Sequence, residues 1–129
     1  MSRIELRLQP DPALLRVMRM TLAAAARVHH LPESLAEDIR LAATEATAEA
    51  MAAHAYADID DPILVALDIT GRAVMVTVEH VGRPGRVPAT ASQSVDRLAV
   101  AAGIADGLEI SSGPAGATRV ELTWPTVVG

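Results

Sequence analysis

Two carboxylates one helical turn apart are the residues of this sequence best suited to chemistry. Glu45 and Glu49 lie four positions apart in an alanine-rich segment, so both side chains would share one edge of a helix. A carboxylate beside buried apolar residues can act as a general base, and a carboxylate can also bind Mg²⁺. The alternative is an ordinary solvated pair, whose mutual repulsion on an open helix costs about 0.2–0.5 kcal/mol.

A histidine followed by glycines ends an apolar, β-branched run later in the chain. His80 precedes Gly82 and Gly85 in the segment VMVTVEHVGRPG, residues 74–85. A neutral imidazole accepts one hydrogen bond, and glycines let backbone amides approach a phosphate without an intervening Cβ. Ordinary turn glycines after a strand are the alternative. The other histidines share no metal-ligand spacing and predict no metal site: His29, His30 and His54.

The composition limits the classes of function open to this chain. Its 129 residues predict one domain spanning 1–129. The absence of cysteine excludes a disulfide framework, thiolate zinc sites and cysteine nucleophiles, and the absence of lysine excludes Schiff-base chemistry. The net charge of −5 argues against nucleic acid as the main partner. Because no signal peptide or membrane-spanning run is evident, we expect a soluble, cytoplasmic protein without a membrane partner.

A strand and two helices are predicted for the first half of the chain. Alternating apolar residues over 4–8 indicate a half-buried strand, and helical spacing then continues to about Val28. Ser34 and Glu37 form a candidate capping box for a second helix, which would end at 58–62. Its apolar stripe is about 80° wide and consists of Leu35, Ile39, Ala42, Ala46, Ala50 and Ala53.

Strands dominate the prediction for the second half. The expected elements are hairpin strands over 63–69 and 74–79, an irregular loop over 81–94, a helix over 95–104, and strands over 108–112 and 119–124. The order is therefore βααββαββ. Hairpin-connected strands beside segregated helices predict an α+β fold, a two-layer sandwich with helices on one face of a mixed, mostly antiparallel sheet.

Three segments resemble the ATP-binding domain of anti-sigma-factor serine kinases, a family of the Bergerat-fold superfamily that includes histidine kinases and DNA gyrase. DIRLAATEATAEAMAAHAY, residues 38–56, is similar to the family's helix with Glu, Asn and His-Ala-Tyr. VMVTVEHVGRPG is similar to its strand leading into Asp-x-Gly-x-Gly. LAVAAGIADGLEISSGPAGATRVELTWP, residues 98–125, resembles its closing helix and two strands.

The resemblance implies a role for each candidate residue. Glu45 matches the glutamate that orients or activates the attacking group, and Glu49 stands at the position of the Mg²⁺-binding asparagine. His80 stands at the position of the aspartate that accepts the adenine amino group, with Gly82 as the first nucleotide-binding glycine and Gly85 as the second after a one-residue shift. The family's glycine-rich lid corresponds to ATASQSVDRL, which contains no glycine.

Three functions are compatible with this resemblance. The first is a regulatory, anti-sigma-factor-like or partner-switching protein, typically a homodimer, that binds a sigma factor or an anti-sigma antagonist and whose nucleotide site is degenerate. The second is an active ATP-dependent protein serine kinase. The third is a dimerisation or accessory module without catalysis. ATP and Mg²⁺ are the implied cofactors, and the altered Asn, Asp and lid-glycine positions argue against them.

Overall fold

The computed structural model describes residues 2–81, 91–113 and 117–126, and the side chains of these residues except 91–97. Its strands are β1 (Ser2–Leu8), β2 (Ile63–Ile69), β3 (Ala73–His80), β4 (Gly107–Ser112) and β5 (Thr118–Pro125). Its helices are α1 (Leu15–Val28), preceded by a 3₁₀ turn at Pro12–Leu14, α2 (Glu33–Ala57) and α3 (Ala91–Ile104). The predicted element order is confirmed.

The five strands form one sheet in the order β1-β2-β3-β5-β4. Every neighbouring pair is antiparallel, so the described strands contain no parallel pairing of the kind that a mixed sheet requires. Three residues separate β2 from β3 and five separate β4 from β5, while the two helices α1 and α2 lie between β1 and β2. The expected α+β class with a largely antiparallel sheet is confirmed.

The two faces of the sheet differ in chemistry because side chains alternate along each strand. Val65, Val78 and Val120 form one cross-strand row in the buried core, which also contains side chains of α1 and α2. On the opposite face, Arg119 pairs with Glu79 at 3.4 Å and with Glu121 at 2.7 Å. The helices therefore cover one face, and the other carries exposed ion pairs.

Two non-glycine residues in left-handed backbone conformation end α1 and α2. His30 has φ 53°, and the amide of Leu31 donates to the Ala26 carbonyl at 3.0 Å. Asp58 has φ 57°, and the amide of Ile59 donates to the His54 carbonyl at 2.8 Å. Both ends have the six-to-one hydrogen bond of the Schellman motif. The left-handed residue of this motif, here His30 or Asp58, is usually a glycine.

The start of α2 corrects the predicted capping box. The residue before the helix is Pro32, with φ −55° and ψ 144°, and it makes no side-chain capping hydrogen bond. Helical geometry begins at Glu33, so Ser34 already lies inside the first turn. The prediction placed the start two residues late, because Ser34 as the N-cap would have made Leu35 the first helical residue, whereas the observed N-cap is Pro32.

Helix α3 begins earlier than its sequence pattern predicted. The helix starts at Ala91, whereas the sequence indicated an irregular loop over 81–94. Small polar residues favour turns and helix starts alike, so ASQS at 91–94 resembled a loop. None of the helices in the described ranges is long and apolar enough to cross a membrane.

Candidate functional site

Helix α2 places the two predicted carboxylates beside its buried stripe. Glu45 and Glu49 are both partly buried, and Ala46 and Ala50, the residues that follow them, are buried in the core. The helix rise of about 1.5 Å per residue separates the two glutamates by about 6 Å along its axis. Glu49 is the nearer of the two to the C-terminal end of α2, where the helix meets the end of β3.

Strand β3 brings His80 into the electrostatic range of Glu49. Burial lowers the pKa of His80, and the neighbouring His54 lowers it further. The Val81 carbonyl and the Glu49 carboxylate act in the opposite direction and raise the pKa of His80. The structure thus joins two of the predicted residues, one from a helix and one from a strand, in a histidine–carboxylate cluster formed by Glu49, His54 and His80.

His54 is the residue of this cluster that sequence analysis did not select. Its side chain is 0 % exposed, and its Nδ1 lies 2.9 Å from the Asp61 carbonyl oxygen. Since a carbonyl only accepts, Nδ1 donates this hydrogen bond; in the neutral ring Nε2 is then an acceptor, and it has no hydrogen-bond partner among the described residues. The rings of His54 and His80 meet edge to face, 5.5 Å apart and at 81°.

A sequence signal for His54 was present. It stands four residues after the buried Ala50, on the side of α2 that faces the core, and it belongs to the His-Ala-Tyr segment of the resemblance. Spacing alone could not show that a strand histidine would meet it. That contact joins residues 26 positions apart in the chain and depends on how α2 lies across β3.

The two predicted glycines, Gly82 and Gly85, lie outside the described residues, so their proposed contacts with phosphate remain predictions. The segment that corresponds to the family's lid is described only from residue 91 onward, as the helical backbone of α3. The chemistry of the site is therefore judged from the histidine–carboxylate cluster and Glu45.

The donor atoms at the cluster fit Mg²⁺ better than they fit adenine. Mg²⁺ is commonly held by one or two carboxylates together with phosphate oxygens and water, so the Glu49 carboxylate is chemically suitable. Among the described residues, no group of three His, Asp or Glu side chains could hold a metal by itself. His80 Nδ1 faces the Val81 carbonyl at 3.4 Å, so its Nε2 offers one acceptor where a carboxylate would offer two oxygens.

The family model of the histidine kinase-like ATPase domain matches residues 8–124, and the chain belongs to this family. The predicted kinship with Bergerat-fold ATPase domains is therefore confirmed.

Comparison with solved structures supports the same fold. The crystal structure of the RsbU and RsbW domains of Rv1364c from Mycobacterium tuberculosis superposes with a TM-score of 0.75 at 22% sequence identity. The match covers 95% of this chain and 32% of that chain, so this chain spans about a third of the other's length. No curated protein matches this sequence.

Proposed function

We propose that this protein is a regulatory, anti-sigma-factor-like partner-switching protein that binds a sigma factor or an anti-sigma antagonist through the outer face of α1. Its membership of the histidine kinase-like ATPase family and its RsbW-like fold support this class. The observation that carries the proposal is an exposed, apolar and basic helix face with no covering element among the described residues.

An apolar stripe runs along the side of α1 that points away from the core. Val17, Met20 and Val28 are 47%, 62% and 73% exposed, with the exposed Ala24 between them. Their spacing of three, four and four residues keeps all four on one side of the helix. The opposite side carries the buried residues of α1, namely Met18, Leu22, Ala25 and Ala26. A continuous exposed stripe of this kind is typical of a protein-binding surface.

The charge of α1 is opposite to that of the whole chain. The helix carries Arg16, Arg19 and Arg27 and no acidic residue, although the chain has a net charge of −5. None of these three arginines forms an ion pair with another described residue. Arginines beside an apolar stripe suit a partner helix that presents both apolar and acidic side chains.

Direct binding measurements with purified sigma factors and anti-sigma antagonists from the protein's own host test this proposal. Met20→Glu is expected to weaken the binding of the correct partner at least tenfold, since it places a carboxylate in the stripe opposite an acidic partner. Val100→Glu is the matched control, because Val100 is an apolar helix residue, 50% exposed, on α3. Equal affinities for the two variants, or no binding by any of these partners, would contradict the proposal.

An active ATP-dependent serine kinase is the second candidate, and it is favoured by the partly buried carboxylate of Glu49 beside His80. In that case Glu45 would orient the attacking hydroxyl and Glu49 would bind Mg²⁺. Saturating Mg²⁺-ATP at about 100 times its Kd would stabilise the folded state by roughly 2.7 kcal/mol, which raises Tm by about 10 °C in a domain of this size. Glu45→Ala would then abolish phosphotransfer without lowering Tm.

A further inference from the structure

The buried imidazole of His54 has one ring nitrogen that neither proposed function uses. His54 is 0 % exposed, and its Nδ1 donates to the Asp61 carbonyl oxygen at 2.9 Å. Its Nε2 is also buried and has no hydrogen-bond partner among the described residues. Buried polar atoms are almost always satisfied in folded proteins, so this nitrogen points to a group that binds there.

His80 repeats the arrangement of His54 from the neighbouring strand. Its Nδ1 faces the Val81 carbonyl oxygen at 3.4 Å, which leaves Nε2 as the position for a ligand. Histidines that bind metals usually donate one ring N–H to a backbone carbonyl or a carboxylate and bind the ion through the other nitrogen. Burial, with a smaller contribution from His54, lowers the pKa of His80, and only the neutral ring binds a metal.

The separation of the two rings suits one shared ion. The ring centroids of His54 and His80 are 5.5 Å apart, and the ring planes meet at 81°. With metal–nitrogen bonds of about 2.0–2.1 Å, two imidazoles on one tetrahedral ion have centroids about 5 Å apart. The observed separation is therefore close to that of a two-histidine metal site.

The surroundings of the two rings supply negative charge and a route from solvent. The Glu49 carboxylate acts electrostatically on His80, and the same field attracts a cation. His80 lines a groove of about 330 Å³ together with Val81, which is 40% exposed, so the groove reaches the surface. No group of three metal-ligating side chains exists among the described residues, so water or phosphate oxygens would complete the coordination of the ion.

We propose that Nε2 of His54 and Nε2 of His80 together bind one divalent transition-metal ion such as Zn²⁺. Imidazole nitrogens suit Zn²⁺, Cu²⁺ and Ni²⁺, whereas Mg²⁺ prefers oxygen ligands. The site therefore differs in chemistry from the Mg²⁺ position that the resemblance implies for Glu49. The sequence predicted no metal site because 26 positions separate the two histidines, and only the packing of α2 on β3 brings them together.

Nitrogen NMR of the imidazole rings tests this assignment directly, since the chain has four histidines and no cysteine. In the ¹⁵N-labelled full chain, ZnCl₂ is expected to shift the Nε2 resonances of His54 and His80 together and in a saturable manner. His29 and His30 are internal controls that should not follow this saturation, and MgCl₂ should leave all four rings unchanged. Zinc-induced shifts at only one of the two proposed ligands, or at neither, would overturn the proposal.

Substitutions of single histidines locate the ion. His54→Leu and His80→Gln are each expected to weaken zinc binding in calorimetry at least about tenfold, since even residues that only orient a metal ligand contribute about 10–100-fold to affinity. His29→Gln is the matched control, because it removes an imidazole at the end of α1 and should leave the affinity unchanged. Wild-type affinity in His80→Gln would refute the site even if His54→Leu failed to fold. An equal loss in His29→Gln would show adventitious surface binding and would refute it as well.

Discussion

Replacing His54 by leucine separates the packing contribution of this side chain from that of its ring nitrogens. The substitution keeps an apolar body of similar size at a position that is 0 % exposed. It removes the 2.9 Å hydrogen bond to the Asp61 carbonyl and the edge-to-face contact with His80. It also removes Nε2, a buried acceptor that has no partner among the described residues.

The expected change in the free energy of unfolding is small because these contributions oppose one another. The lost hydrogen bond costs about 0.5–1.5 kcal/mol, and the lost ring contact costs a further 0.5–1.5 kcal/mol or so. Removal of an unsatisfied buried acceptor stabilises the folded state by about 1–3 kcal/mol. His54→Leu should therefore lie within about 1 kcal/mol of the wild type. His54→Ala should fall about 2–5 kcal/mol below His54→Leu, because it leaves a cavity in the core.

Urea denaturation followed by Trp124 fluorescence measures both variants, since Trp124 is buried in the folded protein. The urea midpoints of the variants can be compared if the slope m is unchanged, because an unchanged m shows that each variant unfolds from a similarly folded state. If His54→Leu loses about 3 kcal/mol or more and unfolds near His54→Ala, then Nε2 is satisfied in the folded protein. The account of the histidine–carboxylate cluster would then be wrong.

Two further predictions concern His80 and the end of α1. Because the pKa of His80 is lowered in the folded state, the unfolded chain binds its proton first, and the free energy of unfolding should fall as pH drops through about 6.5. His80→Gln should reduce this slope in urea titrations between about pH 8 and 5, and an unchanged slope would contradict it. His30→Gly should raise the free energy of unfolding by about 0.5–1 kcal/mol. The backbone angle φ of 53° is strained for histidine and unstrained for glycine, and this gain exceeds the cost of glycine's greater backbone freedom in the unfolded chain. His29→Gly is the control and should lower it, since φ there is −93°, and thermal unfolding that ranks the two variants the other way would refute the argument.

Local patterns in the sequence were sufficient for most of the elements. The β-branched run of β2 was predicted with the bounds that the structure has, 63–69, because buried strands leave a strong apolar signal in a short window. The end of α1 at Val28 was predicted because His29, His30 and Pro32 interrupt its helical spacing. Helix starts were less accurate, since serine-containing segments suit a loop, a cap or a first turn equally well.

The candidate site was only partly accessible to the same reasoning. Glu49 and His80 were selected from their residue types and the family resemblance, and only that resemblance implied that they lie in one site, since neither segment by itself indicates a contact with the other. His54 was considered only as a metal ligand and passed over, although its spacing from Ala50 and its place in the His-Ala-Tyr segment were signals that it lies on the buried side of α2.

The sequence alone was enough to indicate the order of the strands and helices along the chain, the fold class and the candidate functional residues. These depend on periodicity and residue type over short windows. Tertiary packing decided that α2 lies against β3 with His54 meeting His80, and that the apolar face of α1 formed by Val17, Met20 and Val28 stays exposed. The first feature joins residues 26 positions apart in the chain, and the second depends on which side of α1 packs against the core. Both depend on helix placement over the sheet, which no local pattern encodes.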